Sequence, residues 1–204
     1  MFITMNRREA SKNETRKLIL EAARKLFARK GMEECTLRDI AKKAGVSPAS
    51  VVVHFKSKTA LLEEAVNSDI KNALSGLMAS MPEDRGLLDC VMHLSKGLLT
   101  LYDKNRDLYR ALIRYTIFEP ASETPNITNE SEQYLRFLSM MIEEEKARGT
   151  IEPDVDSSVA ALSISSLYIG AIVMLFRMPE MTVETVMDIL ASMTDQYLKG
   201  IMTT

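Results

Sequence analysis

Three observations predict an all-α protein. The 204 residues include only 8 Gly and 6 Pro, while the strong helix formers Leu, Ala, Met, Glu and Lys abound. Ile19, Ala22, Ala23, Leu26 and Phe27 fall at helical spacing, three and four residues apart. Thr36 with Asp39, and Ser47 with Pro48, each have the form of a helix start: a side-chain cap reinforced by an acid three residues on, and a cap followed by a first-turn proline. About nine helices are expected, in a chain long enough for one large or two small domains with ample core.

The first helix is expected over Glu14–Lys30, with Gly31 as its stop. Two short ones follow, Leu37–Ala44 and Pro48–His54. The run Val51-Val52-Val53 favours a strand by propensity, but the cap before it and a core role for Val51 favour a helix. Ala41, Gly45 and Val51 stand at the spacing A-x3-G-x5-V. A small residue lets two helices approach, a glycine takes the positive φ of the turn, and a valine plugs the shared core. The pattern is a helix-turn-helix, whose second helix enters the DNA major groove.

Ser57 caps a long helix, Lys58–Ser80, that links this head to the rest. After a break at Pro82–Gly86 come helices over Leu87–Tyr102 and Lys104–Phe118, a two-proline loop over Glu119–Asn129, and a helix over Glu130–Arg148 ending at Gly149. A turn at Thr150–Asp154, a helix over Val155–Arg177 and a last one over Thr182–Lys199 complete the chain. Val159–Phe176 is an 18-residue run without a charge, the threshold length for a membrane span. Its three serines, Tyr168 and Gly170 instead favour a helix buried on all sides.

The net charge of −2 conceals an asymmetry. Residues 1–60 hold 14 Lys and Arg against 6 Asp and Glu, and residues 61–204 hold 12 against 22. A basic head that coincides with a helix-turn-helix points to a polyanion. Cys35 and Cys90 have no metal-like spacing and read as free thiols of a reducing cytosol. Met1–Lys12 is polar and has no secretory character, so a cytoplasmic location is expected. Two isolated histidines and unclustered cysteines make no metal site, and no nucleophile with a base, phosphate loop or paired carboxylates suggests an enzyme. No cofactor is expected.

The order TR…I…AA…LF…KG, then TLRDIAKKAGVS, then HFxSKxxLL, across residues 14–63, resembles the TetR family of transcriptional regulators. The resemblance implies an all-helical homodimer with a three-helix DNA-binding head, here residues 1–57. A larger ligand-binding and dimerisation body follows, here residues 58–204, pairing through about 155–177 and 182–199. It implies that His54 and Lys58 contact phosphates. Lys58 also fits on physical grounds, because it opens a helix whose N-terminus favours an anion. Thr36 and Arg38 are expected at the phosphates or the groove edge; Asn6, Arg7, Arg8 and Lys12 either reach the backbone or minor groove or form a floppy solvated tail.

Base reading is expected from Pro48, Ala49, Ser50 and Val53. The sequence departs from the family at Val52, where a tyrosine is usual. No Arg, Lys, Asn or Gln lies between Pro48 and His54, which excludes bidentate base contacts from this helix. The Ser50 hydroxyl and apolar contact with thymine methyls remain, with help from Arg38 and DNA shape.

In the body, His93, Tyr109, Arg114, Tyr134, Phe137, Met141 and Tyr168 are candidate contacts for a small hydrophobic or amphipathic effector. Each has an alternative role in the core, and Arg114 needs an anionic ligand or an acidic neighbour such as Glu119. The small residues Ala160, Ala161, Ser165, Gly170 and Ala171 let another helix approach closely. The expected function is a homodimeric regulator, a repressor released from a palindromic operator in double-stranded DNA by an effector. The alternative is a helical ligand-binding or interaction protein of the same fold without a specific operator.

Overall fold

The computed structural model describes residues 7–81 and 86–203, and of Arg7 and Arg8 the backbone alone. Asn6 and nearly all of the expected break at Pro82–Gly86 therefore lie outside the described residues. Nine α-helices are found among them: α1 Arg7–Glu34, α2 Leu37–Ala44, α3 Pro48–His54, α4 Lys58–Ala79, α5 Leu87–Asp103, α6 Arg106–Phe118, α7 Pro125–Ala147, α8 Ser157–Arg177 and α9 Val183–Lys199. A single 3₁₀ turn, Ala121–Glu123, precedes α7. The one β feature described is an isolated bridge between Ile151 and Met202. The protein is all-α, as the sequence predicts.

The chain divides into two compact units, Met1–Asp69 with Asp107–Ile127, and Ile70–Arg106 with Thr128–Thr204. In the first, the apolar face of α1 (Ile19, Ala22, Ala23, Leu26, Phe27) is buried along with Ile40 and Ala41 of α2, Val51 of α3 and Leu61 and Leu62 of α4. Helical geometry breaks at Gly31, with φ 75°, so the glycine stop falls where expected; α1 itself begins at Arg7 rather than Glu14. From α6, Leu108, Tyr109 and Leu112 are also buried.

The two-proline segment is not a continuous loop, because α7 starts at Pro125. Proline suits a first helical turn, where its missing N–H has no partner to lose. The next free donors are met from a distance: Glu63 of α4, 1% exposed, accepts from the Ile127 backbone N–H at 2.9 Å and from Asn126 Nδ2 at 3.1 Å. A carboxylate at a helix N-terminus satisfies orphan donors and complements the dipole. This cap comes from 64 residues away, beyond the reach of local pattern reading.

In the second unit, Leu87 and Val91 of α5, Leu138 and Ile142 of α7, Ala160, Ala161 and Ile164 of α8 and Leu198 of α9 form the core. The expectation that α8 is buried on all sides is corrected. Ala160, Ala161, Ile164, Tyr168, Ala171, Ile172 and Leu175 are buried, but Val159, Leu162, Ile169 and Val173 on another face are exposed. The charge-free run reflects two apolar faces on one helix. By length and composition alone α8 is long and apolar enough to cross a membrane.

Candidate functional site

The helix-turn-helix is assembled from interlocking caps. Thr36 Oγ1 accepts from the Asp39 N–H at 3.1 Å, and Asp39 Oδ2 accepts from the Thr36 N–H at 3.1 Å and its hydroxyl at 2.9 Å. These reciprocal bonds hold the Asp39 carboxyl below its ordinary range. Gly45 ends α2 in the left-handed region, φ 71° and ψ 29°, a conformation that disfavours any side chain. Val46 N–H then donates to Ala41 O at 3.0 Å, closing the turn. Ser47 Oγ accepts from the Ser50 N–H at 3.1 Å, and Pro48 occupies the first turn of α3. With Val51 buried, every position of the A-x3-G-x5-V pattern takes its expected role.

Arg16 of α1 fastens the end of α3 to α4, a role that reading of the sequence missed. It donates from Nη1 to the His54 carbonyl at 2.9 Å, pairs through Nε and Nη2 with the Glu64 carboxylate, and lies 4.5 Å from the Phe55 ring centroid. The signal available was the TR pair in the opening helix. Partial burial, then the charges of Arg16 and Lys12, push the His54 imidazole below its ordinary pKa. The ring is therefore neutral at pH 7, and its buried Nδ1 has no partner. A neutral imidazole donates from one nitrogen only.

Lys58 opens α4, half-buried, with Nζ 3.4 Å from the Glu33 carbonyl; Ser57 Oγ caps α4 by accepting from the Ala60 N–H at 3.0 Å. Thr36 is exposed, but its hydroxyl is committed to the capping box. Arg38, Lys42, Lys43 and Lys56 are exposed, as are Pro48 and Ala49. Ser50 is half-buried. Also exposed on α3 are Val52 and Val53, at 58% and 78%.

The body candidates separate. Tyr134 and Phe137 of α7 line a cavity of about 370 Å³, with Lys71, Leu74, Ser75 and Met78 of α4, Leu94 of α5, and Glu130 and Gln133 of α7. Lys71 Nζ lies 3.8 Å from Glu130 Oε1, an ion pair beside a largely apolar wall. The Tyr168 ring lies against that of Tyr134, 6.5 Å between centroids, and the buried Tyr168 hydroxyl meets that of Tyr102. Burial pushes the hydroxyls of Tyr134 and Tyr168 upward, so both are protonated donors at neutral pH. His93, Tyr109, Arg114, Met141 and Tyr168 do not line this cavity. His93 Nε2 sits 3.1 Å from the Leu77 carbonyl and 3.2 Å from Ser80 Oγ, pinning α5 to the end of α4. Tyr109 is buried in the first unit, and Met141 packs on the core of the second. Arg114 is exposed and pairs with Glu33 and with Tyr115 Oη rather than with Glu119. No cluster of His, Cys, Asp or Glu able to hold a metal ion is found among the described residues.

A capped two-helix turn with basic flanks, on an otherwise all-helical chain, defines the class: a helix-turn-helix DNA-binding regulator. Residues 19–65 match the family model for bacterial regulatory proteins of the tetR family. The chain is 23% identical over 172 residues to the HTH-type transcriptional regulator UidR of Escherichia coli, covering 82% of this chain and 85% of that one. It is 25% identical over 155 residues to the HTH-type transcriptional repressor KstR2 of Rhodococcus jostii, 74% of each. In fold it is similar to the transcriptional regulator FadR of Bacillus subtilis in complex with stearoyl-CoA, with a TM-score of 0.70 at 17% identity over 91% of this chain and 98% of that one. Residues 19–65 thus carry the N-terminal region of the tetR family of bacterial regulatory proteins, and the chain as a whole is similar to transcriptional regulators with that region.

Proposed function

We propose that the protein is a cytoplasmic, homodimeric operator-binding repressor, released from double-stranded DNA by a small hydrophobic or amphipathic effector. Residues 1–57 act as the head and 58–204 as the body. The observation that carries this reading is the helix-turn-helix itself, capped at both helix starts and set in the basic part of the chain. Thr36, Arg38, His54 and Lys58 position it on phosphates, and Pro48, Ala49, Ser50 and Val53 face the bases. Phosphate contacts set register and orientation but carry no sequence information directly.

The cavity supports the effector. Its volume lies at the small end of ligand sites, and an apolar wall with an ion pair at one side suits an amphipathic molecule. FadR of Bacillus subtilis, similar in fold, holds stearoyl-CoA, whose acyl chain is a ligand of that general character. Four cavity residues lie on α4, the helix that continues from the helix-turn-helix. A shift of α4 on binding would change the spacing of two recognition helices, which must match successive major grooves about 34–36 Å apart.

The homodimer is supported by α8. Val159, Leu162, Ser166, Ile169 and Val173 are exposed at alternating spacings of three and four residues, the seam along which two helices pack. The small Gly170 and Ser166 permit close approach to a second copy, in an interface completed by α9.

A gel shift with the duplex upstream of the protein's own gene tests the reading. A protein-dependent shift at low salt, cooperative in protein and reversed by an acyl-type amphiphile, is expected. No shift at low salt would favour a ligand-binding protein of this fold without an operator.

A further inference from the structure

The face that α3 offers to solvent is chemically unusual for a DNA reader. Pro48, Ala49, Val52 and Val53 are its exposed side chains, and Val52 and Val53 stand 58% and 78% clear of the protein. None carries a donor or an acceptor. Of the remaining α3 residues, Val51 is buried, Ser50 is half-buried with its N–H spent on the Ser47 cap, and His54 is half-buried at the far end. Exposed Lys42 and Lys43 end the preceding helix and exposed Lys56 follows α3, so basic residues flank the apolar stretch on both sides in the chain. That charge pattern fits a groove walled by phosphates.

In the major groove every base pair presents hydrogen-bonding edges, and one base adds an apolar group, the C5 methyl of thymine. Valine pressed against a hydrogen-bonding edge strips water from it without offering a replacement, a cost of desolvation. Valine pressed against a methyl buries apolar surface on both partners. The same face therefore attracts thymine and penalises an unmethylated G·C pair. Cytosine methylated at C5 presents its methyl in the same place.

We infer that the recognition helix reads C5 methyl groups: Val52 and Val53, with Ala49 beside them, select thymine in each half-site, and 5-methylcytosine is preferred to cytosine at those positions. The inference rests on the DNA-binding reading above and specifies the chemistry that the head selects.

The test uses the full-length protein and a duplex recovered from a randomised pool by repeated binding. Each thymine is replaced in turn by deoxyuridine, which removes the methyl and leaves base pairing unchanged. At one or two positions per half-site the affinity should fall about three- to fivefold, the scale of one buried methyl group. At those positions a 5-methylcytosine·guanine pair should be bound more tightly than cytosine·guanine. Val53→Ala, at an exposed position that leaves the fold intact, should reduce the uracil effect without abolishing binding. Tight binding with less than a twofold uracil effect at every position would overturn methyl reading while leaving the DNA-binding function standing. Failure to recover any preferred duplex would overturn both.

Discussion

Among the described residues, the exposed apolar faces of α3 and α8 differ in what surrounds them. The face of α3 is short, flanked in the chain by lysines and mounted on a turn whose every cap is satisfied. The face of α8 runs nearly the length of a 21-residue helix, has serines and small residues for neighbours, and follows a three-and-four spacing. Valine is shared by both, so apolar character alone does not distinguish a DNA-facing from a protein-facing surface. The setting distinguishes them. Cations around α3 require a polyanion to complete it, whereas α8 has the periodicity of a helix that packs on another helix.

Charge placed on the exposed face of α8 should have the largest effect. Leu162→Glu with Ile169→Glu puts four like charges across a twofold seam. A monomer is expected by sedimentation, with helical circular dichroism preserved because both side chains are exposed. DNA affinity should fall about a hundredfold or more as the second half-site contact is lost. A dimer that persists would mean that α8 is not the seam.

A smaller effect is expected where α4 meets α5. Gly97 lies so close to the Leu77 side chain that a methyl group there would overlap it. Gly97→Ala should therefore lower the thermal midpoint, costing about 1–3 kcal/mol of packing, partly offset by about 1 kcal/mol of helix propensity. Adding Leu77→Ala should restore part of the loss. A Gly97→Ala protein more stable than the parent would show that the half-buried Leu77 side chain turns aside at little cost.

The smallest effect concerns pH. His54 has a lowered pKa in the fold, so between its folded and unfolded values the unfolded chain binds more protons. Stability from this group is complete above the unfolded value, about 6.5, and is lost as pH falls through the folded one. Denaturant midpoints of the parent and His54→Gln should therefore converge as pH is lowered from 7.5 to 5. Parallel curves would show that the neutral ring contributes nothing to the head.

The head was legible in the sequence because its structure is specified locally. Thr36 and Asp39, Ser47 and Pro48, and Gly45 each act within a few residues, and α2 and α3 have the expected ends. What escaped depends on distant partners. The start of α7 at Pro125 follows from Glu63 on α4, and Arg16 reaches across to His54 and Glu64. The body cavity was half legible: Tyr134 and Phe137 line it, but so do Lys71, Leu74, Ser75 and Met78 of α4, which had been read only as a linking helix. Arg114, read as a group in need of an anion, finds Glu33, an acid 81 residues away. The two faces of α8 were indistinguishable in sequence, because exposed Leu162 and buried Ile164 have the same polarity.

The α2–α3–α4 junction is proposed to dock on the phosphates of duplex DNA. Equilibrium titration of a selected duplex, by fluorescence anisotropy across 50–300 mM salt (about a sixfold range), tests it directly. The parent should bind saturably, with log affinity falling linearly against log salt. Lys58→Ala should bind all duplexes more weakly, with a slope shallower by about one unit for each Lys58 ammonium removed. A slope unchanged by that substitution, or no saturable binding at the lowest salt, would contradict the claim.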